Sequence, residues 1–341
     1  MYSFEILDVD NPRWDEIVKA SYIYDFHHTA FYHKIDNQHR SFLFVAQGGE
    51  DFLAMPLVLR PIDGTELFDL TSVYGYCGPI SNKPDFCFSD SFLTFFRDKF
   101  DSYCLDNNIV SAFSRLHSLI NQDEVFANFG DIQLLNKTIS IDLTLSAEEQ
   151  RKQYRKSNKS EVNQLRKKGF TVREADGSAD IERFIAIYYE TMDRVNATPY
   201  YYFTKDYFHS FLNTPQFGTR LLLAEYDEEV VAGAIFTTTD KIMQYHLAGT
   251  TEKFIQLTPM KLILDEARLL GNDLDTEYLH LGGGVGGSDE DSLFRFKSGF
   301  SKDFKQFSVW KYIVDMDNYE MLVQKNEIKD RQSNFFPLYR S

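Results

Sequence analysis

Apolar and polar positions along this chain recur with the two periods of regular secondary structure, 3.6 and 2. SFLFVAQ (41–47) and FLAMPLVLRPI (52–62), parted by Gly48 and Gly49, read as two antiparallel strands across a tight turn. DEIVKAS (15–21) and HHTAFYHKIDN (27–37) read as short helices before them, and TSVYGYCGPISN (71–82) as strand passing into loop. Helical spacing of Phe92, Phe95, Phe96 and Phe100 predicts a helix over 89–108, followed by strands at IVSAFSRL (109–116) and NKTISIDLT (136–144). Ser146 with Glu149 has the form of a capping box, opening a helix that runs to about Lys168 and stops at Gly169.

The remainder continues in the same alphabet. GFTVREA (169–175) reads as a strand, SADIERFIAIYYETMDRV (178–195) as an amphipathic helix capped by Ser178, and TKDYFHSFLN (204–213) as a shorter helix. RLLLAEY, VVAGAIFTTT and IMQYHLAG (220–249) predict a three-strand meander. Thr258 is placed to cap a helix with Pro259 at its first position and Gly271 at its stop. EYLHL (277–281) then reads as a strand running into GGGVGG, and FSVWKYIVD (307–315) as the last strong strand. Residues 44–58 laid on 222–236 keep a constant offset, Ala46 meeting Ala224, Glu50 meeting Glu228 and Ala54 meeting Ala232, which predicts a duplicated α/β (α+β) domain.

Composition narrows the class. A length of 341 residues suits two domains, expected at 1–147 and 148–315, with the tail 316–341 packing back on the first. No run approaches 18 apolar residues and the first residues have no signal-peptide pattern, so the expected location is the cytoplasm. Cys77, Cys87 and Cys104 form no CxxC and no zinc spacing, so no metal is expected. The 36 Lys and Arg against 51 Asp and Glu give −15, which repels nucleic acid everywhere except at a local basic patch. Such a patch exists: residues 151–173 hold nine Lys and Arg and one acid, Glu161. It reads equally as a solvated helix face or, through residues such as Arg155 and Lys156, as a contact for phosphates of tRNA or of a nucleotide-linked substrate.

Candidate chemistry gathers at LHLGGGVGGSDEDSLFRFKSGF (279–300). Five glycines within six positions after a strand end allow close approach of backbone to a ligand, and the spacing is neither a P-loop nor a clean dinucleotide fingerprint. Lys297 between Phe296 and Phe300 is placed to hold an anion or a developing oxyanion. Tyr245 and His246 fall on opposite faces of the third meander strand, so that only one of them faces a site; His280 and Asp291 are further candidates. No Cys–His or Ser–His arrangement for a covalent nucleophile stands out.

Taken together, the basic helix ending RKKGFTVREA, the stretch IYYETMDRVNATPYYYFTKDYF, the meander and the glycine-rich strand end with FKSGF resemble the FemABX superfamily of GNAT-like acyltransferases over most of 150–315. The resemblance implies two tandem GNAT-like domains around a cleft, and transfer of an aminoacyl group from aminoacyl-tRNA to an amine of a peptidoglycan or other cell-wall precursor, with no tightly bound cofactor. It implies donor contact and charge stabilisation by Phe296 and Lys297, a role for Tyr245, and a donor channel shaped by Gly282, Gly283 and Gly284. It also implies precursor binding by the loop holding Tyr74, Tyr76, Gly78 and Asn82, where Asn82 stands in place of the family's acid. An acyl-CoA donor acting on a sugar or small-molecule amine is the alternative, although EKFIQLTPMK (252–261) lacks the glycine turn that binds CoA pyrophosphate. A non-catalytic ligand-binding pair of the same fold is the third reading.

Overall fold

The computed structural model describes residues 1–36, 39–285 and 291–341. The chain divides into two compact units, 1–135 with 306–341, and 136–305. Unit 1 opens with β1 (Tyr2–Asp8), α1 (Arg13–Ala20), a 3-10 turn at Phe26–His28 and α2 (Ala30–Ile35). It continues through β2 (Arg40–Gly48), β3 (Asp51–Pro61), β4 (Phe68–Thr71), β5 (Ile80–Ser81), α3 (Asp90–Asp106) and β6 (Ile109–Arg115). The chain leaves it along β7 (Asp131–Asp142). Unit 2 holds α4 (Ala147–Lys152), α5 (Lys156–Lys167), β8 (Thr171–Glu174), α6 (Gly177–Arg194), α7 (Lys205–Leu212), β9 (Gly218–Tyr226) and β10 (Glu229–Thr238). It is completed by β11 (Ile242–Thr250), α8 (Met260–Asp273), β12 (Tyr278–Gly282) and α9 (Ser292–Lys297). β13 (Asp303–Ile313) and α10 (Met316–Lys325) return to unit 1.

The strand orders explain the constant offset in the sequence. Unit 1 runs β1-β2-β3-β4-β6-β13, with β5 also on β3; unit 2 runs β8-β9-β10-β11-β12-β7. In each, a helix (α3 or α8) lies between the two strands that pair in parallel, β4 with β6 and β11 with β12. The offset hairpins are β2–β3 and β9–β10, each closed by a two-residue turn. Asp227 and Glu228 both take positive φ, the geometry of a type I′ turn. The second hairpin differs by a bulge, where Val231 is inserted between the paired residues Val230 and Ala232. The mixed α/β class and the tandem repeat expected from the sequence are both present.

Local expectations fail in four places. The helix from Ser146 breaks at 153–155: the Arg155 N–H donates to the Gly299 carbonyl at 2.8 Å instead of continuing the helix, which turns Tyr154 into the core. Ser178 lies inside the first turn of α6; the Asp180 carboxylate reaches back to the Asp176 N–H and takes the capping role. Thr258 is left-handed (φ 53°) and Pro259 is the residue flanking α8, whose start follows a 3-10 helix over Glu252–Leu257. Gly271 does not stop α8 but sits within it, where a Cβ would come 2.6 Å from Leu143 Cδ1. The edge strand β1 and the helix α10 add to the elements expected from the sequence.

The core of unit 2 joins Ile139 and Ile141 of β7 to the inward faces of α5, α8 and the meander. A buried acid is set into it. Asp265 on α8 is fully buried and receives Arg151 (2.9 Å), Arg166 (2.8 Å), Arg268 (3.3 Å) and the Tyr154 hydroxyl (3.0 Å). Burial raises its pKa, but the guanidinium groups outweigh that and hold it below the ordinary carboxylate value. Two cations of the basic stretch are thus committed to the fold. Replacing Asp265 with Leu strands Arg268, itself buried, and is expected to cost about 3–5 kcal/mol in urea denaturation; a loss under about 1 kcal/mol would show that Arg268 finds another partner.

Candidate functional site

The site is built where β11 and β12 part. They pair only over Ile242–Gln244 and Tyr278–His280, after which β11 continues to Thr250 and β12 ends at Gly282. Both ladders are broken just beyond: His246 is inserted in β11 against β10, and Leu281 in β12 against β7. Bulges of this kind bend a strand and redirect its side chains.

Lys297 occupies the space so made. It is the last residue of the six-residue helix α9, capped by Asp291, whose Oδ1 accepts the Phe294 N–H at 2.8 Å. Gly284 must be glycine beside that cap, since a Cβ there would fall 2.2 Å from Asp291 Oδ1. Phe294 and Phe300 bury themselves in the core with Phe296 packed against it, and this draws Lys297 inward to 7% exposure. Its Nζ donates to the Gly283 carbonyl at 2.8 Å and lies 5.6 Å from the centre of the Tyr245 ring. Burial lowers the pKa of Lys297 from 10.5 to about 7, with Asp291 opposing the shift. Burial likewise pushes the Tyr245 hydroxyl upward, keeping it neutral.

The structure therefore brings together Lys297, Tyr245, Gly283, Gly284, Asp291 and Phe296. Gly282 takes φ 74° at the strand end, a conformation glycine adopts at little cost. Gly286 and Gly287 lie outside the described residues. His246 is not part of the group: it turns to the other face of the sheet, stacked on Phe211 at 4.8 Å and 3.4 Å from the Tyr207 hydroxyl. His280 is also on that face, fully buried, with Nδ1 2.6 Å from Gln244 Oε1.

Arg155 stands at the N-terminus of α5, where its backbone meets Gly299 and its guanidinium donates to Ser298 Oγ at 3.2 Å. The basic stretch thus adjoins the turn after Lys297. Arg151, Arg166 and Arg173 are engaged by carboxylates and Lys152 pairs with Glu148, whereas Arg155, Lys156, Lys159, Lys167 and Lys168 have no ion pair among the described residues. Nor does any group of three His, Cys, Asp or Glu among the described residues have the placement to hold a metal ion.

The remaining candidates are in unit 1. Asn82 is spent on the β2–β3 turn, accepting from Phe52 N (3.0 Å) and donating to the Glu50 carbonyl (2.9 Å). Gly78 takes φ 86° and packs on Gln122, which donates to the carbonyls of Cys77 and Pro79. Tyr74 is exposed, with the Arg115 guanidinium 5.3 Å from its ring centre; Tyr76 packs edge-on to His27 and His117. Beneath this loop lies a group the sequence reading missed. Asp25, fully buried, accepts from His27 Nδ1 (3.0 Å), His117 Nε2 (3.1 Å) and Phe26 N (2.7 Å). Burial opposes its ionisation, and the two rings more than offset that, so its pKa is lowered. The signal available was the cluster of His27, His28 and His33, but its partner His117 is distant in sequence.

Known proteins can be set beside this geometry. Residues 150–298 match the family model described as Acetyltransferase (GNAT) domain. The structure is similar to that of FemX, with TM-score 0.70 and 12% identity over 93% of this chain and 99% of the other. It is similar to L-PGS from Bacillus licheniformis, with TM-score 0.59 and 13% identity over 93% and 97%. A tandem GNAT protein from the clavulanic acid biosynthesis pathway matches with TM-score 0.51 and 7% identity over 92% and 99%. No curated protein matches the chain in sequence.

Lysine burial has a measurable sign. The unfolded chain holds more protons than the folded one between about pH 7 and 10.5, so this residue makes stability rise with pH across that window. At about 1.4 kcal/mol per pH unit, Lys297→Met is expected to be more stable than the parent at pH 6 by a few kcal/mol, less about 1 kcal/mol for the lost hydrogen bond, with the difference shrinking toward pH 10. Thermal denaturation of both proteins across that range checks it; a pH-independent difference would contradict the burial of a charged amine. Residues 150–298 match the acetyltransferase (GNAT) domain model, and the chain has the fold shared by FemX, L-PGS and the tandem GNAT protein.

Proposed function

We propose that this GNAT-fold acyltransferase forms an amide bond by moving an aminoacyl group from aminoacyl-tRNA to an amine on a cell-envelope precursor, working in the cytoplasm. The observation that carries the reading is Lys297, buried at the parting of β11 and β12 beside an α5 N-terminus bearing Arg155, Lys156 and Lys159. A phosphate-bearing donor laid on these cations brings its ester toward the lysine. Attack by the acceptor amine puts negative charge on the ester oxygen. A preorganised ammonium in a site of low dielectric stabilises that charge with little reorganisation. As the tetrahedral adduct collapses, the carbon–oxygen bond to the ribose breaks, the Lys297 ammonium gives a proton to the leaving oxygen, and the neutral lysine so formed takes up the proton shed by the attacking amine. The Lys297 pKa of about 7 suits it to return a proton to the leaving oxygen.

The start of α8 favours this donor over acyl-CoA. Pro259 has no N–H, and the N–H groups of Lys261 and Leu262 are already taken by the carbonyls of Thr258 and Pro259. An acyl-CoA donor would need such groups open for its pyrophosphate. FemX and L-PGS share the fold, and the FemABX resemblance of the motifs in 150–315 implies an aminoacyl-tRNA donor.

The test is a transfer assay with charged total tRNA or acyl-CoA and a panel of amine acceptors, read by mass spectrometry. Transfer from tRNA that RNase abolishes is expected. Lys297→Met should lower kcat by about 100-fold or more with circular dichroism unchanged, and the parent's rate should fall as pH rises above 7. Transfer from acyl-CoA alone would overturn the donor assignment, and thermal stabilisation by an acceptor without any transfer would indicate a binding protein.

A further inference from the structure

On the face of the unit 2 sheet opposite Lys297, four buried polar side chains stand in one cross-strand row: Thr237 of β10, Gln244 of β11, His280 of β12 and Ser140 of β7. The register makes them direct neighbours, Thr237 with Gln244, Gln244 with His280, and His280 with Ser140. The neighbouring positions Phe236, Met243, Leu279 and Ile141 are apolar and buried. A buried polar row is costly in such a place, and the cost is visible: Thr237 Oγ1 has no hydrogen-bond partner among the described residues.

One bond in the row has a defined direction. Gln244 Nε2 donates to the Tyr245 carbonyl at 3.0 Å, so its Oε1 is the atom facing His280, and the 2.6 Å contact requires a proton on His280 Nδ1. The bond lies on the last paired rung of β11 and β12, with the bulges at His246 and Leu281 immediately beyond. One residue further along β11 is Tyr245, whose ring lies beneath Lys297; three residues further along from His280 is Gly283, whose carbonyl accepts from Lys297 Nζ.

We infer that Gln244 and His280 are positioning residues whose hydrogen bond fixes β11 to β12 where the strands part, and so holds the Tyr245 ring and the Gly283 carbonyl at the spacing that cradles Lys297. A leucine pair on this rung would pack as well but would add no directional tie beyond the three-residue backbone ladder, because dispersion contacts have no direction. The inference rests on the role given to Lys297 in the proposed function, yet its test needs no substrate.

The experiment follows the 13Cε resonance of Lys297 with pH in the full chain labelled with [13C,15N]lysine, assigned through Lys297→Met. The parent is expected to titrate near pH 7. Gln244→Leu and His280→Leu should each raise the midpoint by about one pH unit or more, a tenfold change in the acid constant. His280→Asn, whose side-chain N–H replaces Nδ1–H, should restore the parent value, and Thr237→Val should leave it unmoved. An unchanged midpoint in folded leucine variants would overturn the inference, as would a parent midpoint above 10. Should the leucine variants not fold, 15N spectra of histidine-labelled parent decide: the Nδ1-protonated ring is expected at His280, and the Nε2-protonated tautomer overturns the proposal. Failure of the tRNA assay with these titrations as expected would sink the donor assignment and leave the clamp standing.

Discussion

A lysine ammonium buried among aromatic rings is the constraint on which the unit 2 site depends. Everything nearby serves to keep it there. Phe294, Phe296 and Phe300 anchor the short helix α9 that presents it, Asp291 caps that helix, and Gly284 leaves room for the cap. The carbonyl of Gly283 gives the amine its hydrogen bond, and Gly282 supplies the left-handed turn that brings that carbonyl round. In the proposed function the energetic penalty of burial is what suits the group to its task, since an amine poised near neutrality can both stabilise an oxyanion and give up a proton.

A second buried charge stabilises the scaffold rather than the chemistry. Asp265 gathers Arg151, Arg166 and Arg268 and the Tyr154 hydroxyl, so α4, α5 and α8 share one ionic centre. The helix break at 153–155 follows from this, because Tyr154 reaches Asp265 only once Arg155 has given its N–H to Gly299. Thus a stretch that looks uniformly basic in sequence has two classes of cation. Those paired inward hold helices together, and those without an ion pair among the described residues include Arg155 beside the turn after Lys297.

Periodicity made most of the fold legible. The hairpins, the meander, α3, α6 and the shape of the repeat all follow from spacing, because a core face imposes a period that survives in one sequence. Boundaries were less legible where a distant partner decides them. Gly271 looks like a stop signal, but its missing Cβ makes room for Leu143; Ser178 looks like a cap, but Asp180 wins the Asp176 N–H because Arg173 holds it in place. Lys297 with its glycines could be picked out because chemistry and spacing coincide within about 20 residues. Gln244 with His280, and Asp25 with His27 and His117, could not, because each group is assembled by strand register or tertiary packing across stretches that carry no joint pattern.

Unit 1 is assembled from two separated stretches, and its sheet takes β13 beside β6. The buried Asp69 of β4 finds Arg340 at 2.6 Å and the Tyr339 hydroxyl at 3.2 Å, both from the second stretch. During synthesis the residues of unit 2 therefore emerge complete while unit 1 still lacks a strand and the second of the two guanidinium partners of an interior acid, the first, Arg60, lying on β3. The order of emergence favours folding of the Lys297 domain first, with the first-made half waiting in an open, chaperone-accessible form for residues 306–341 to be translated.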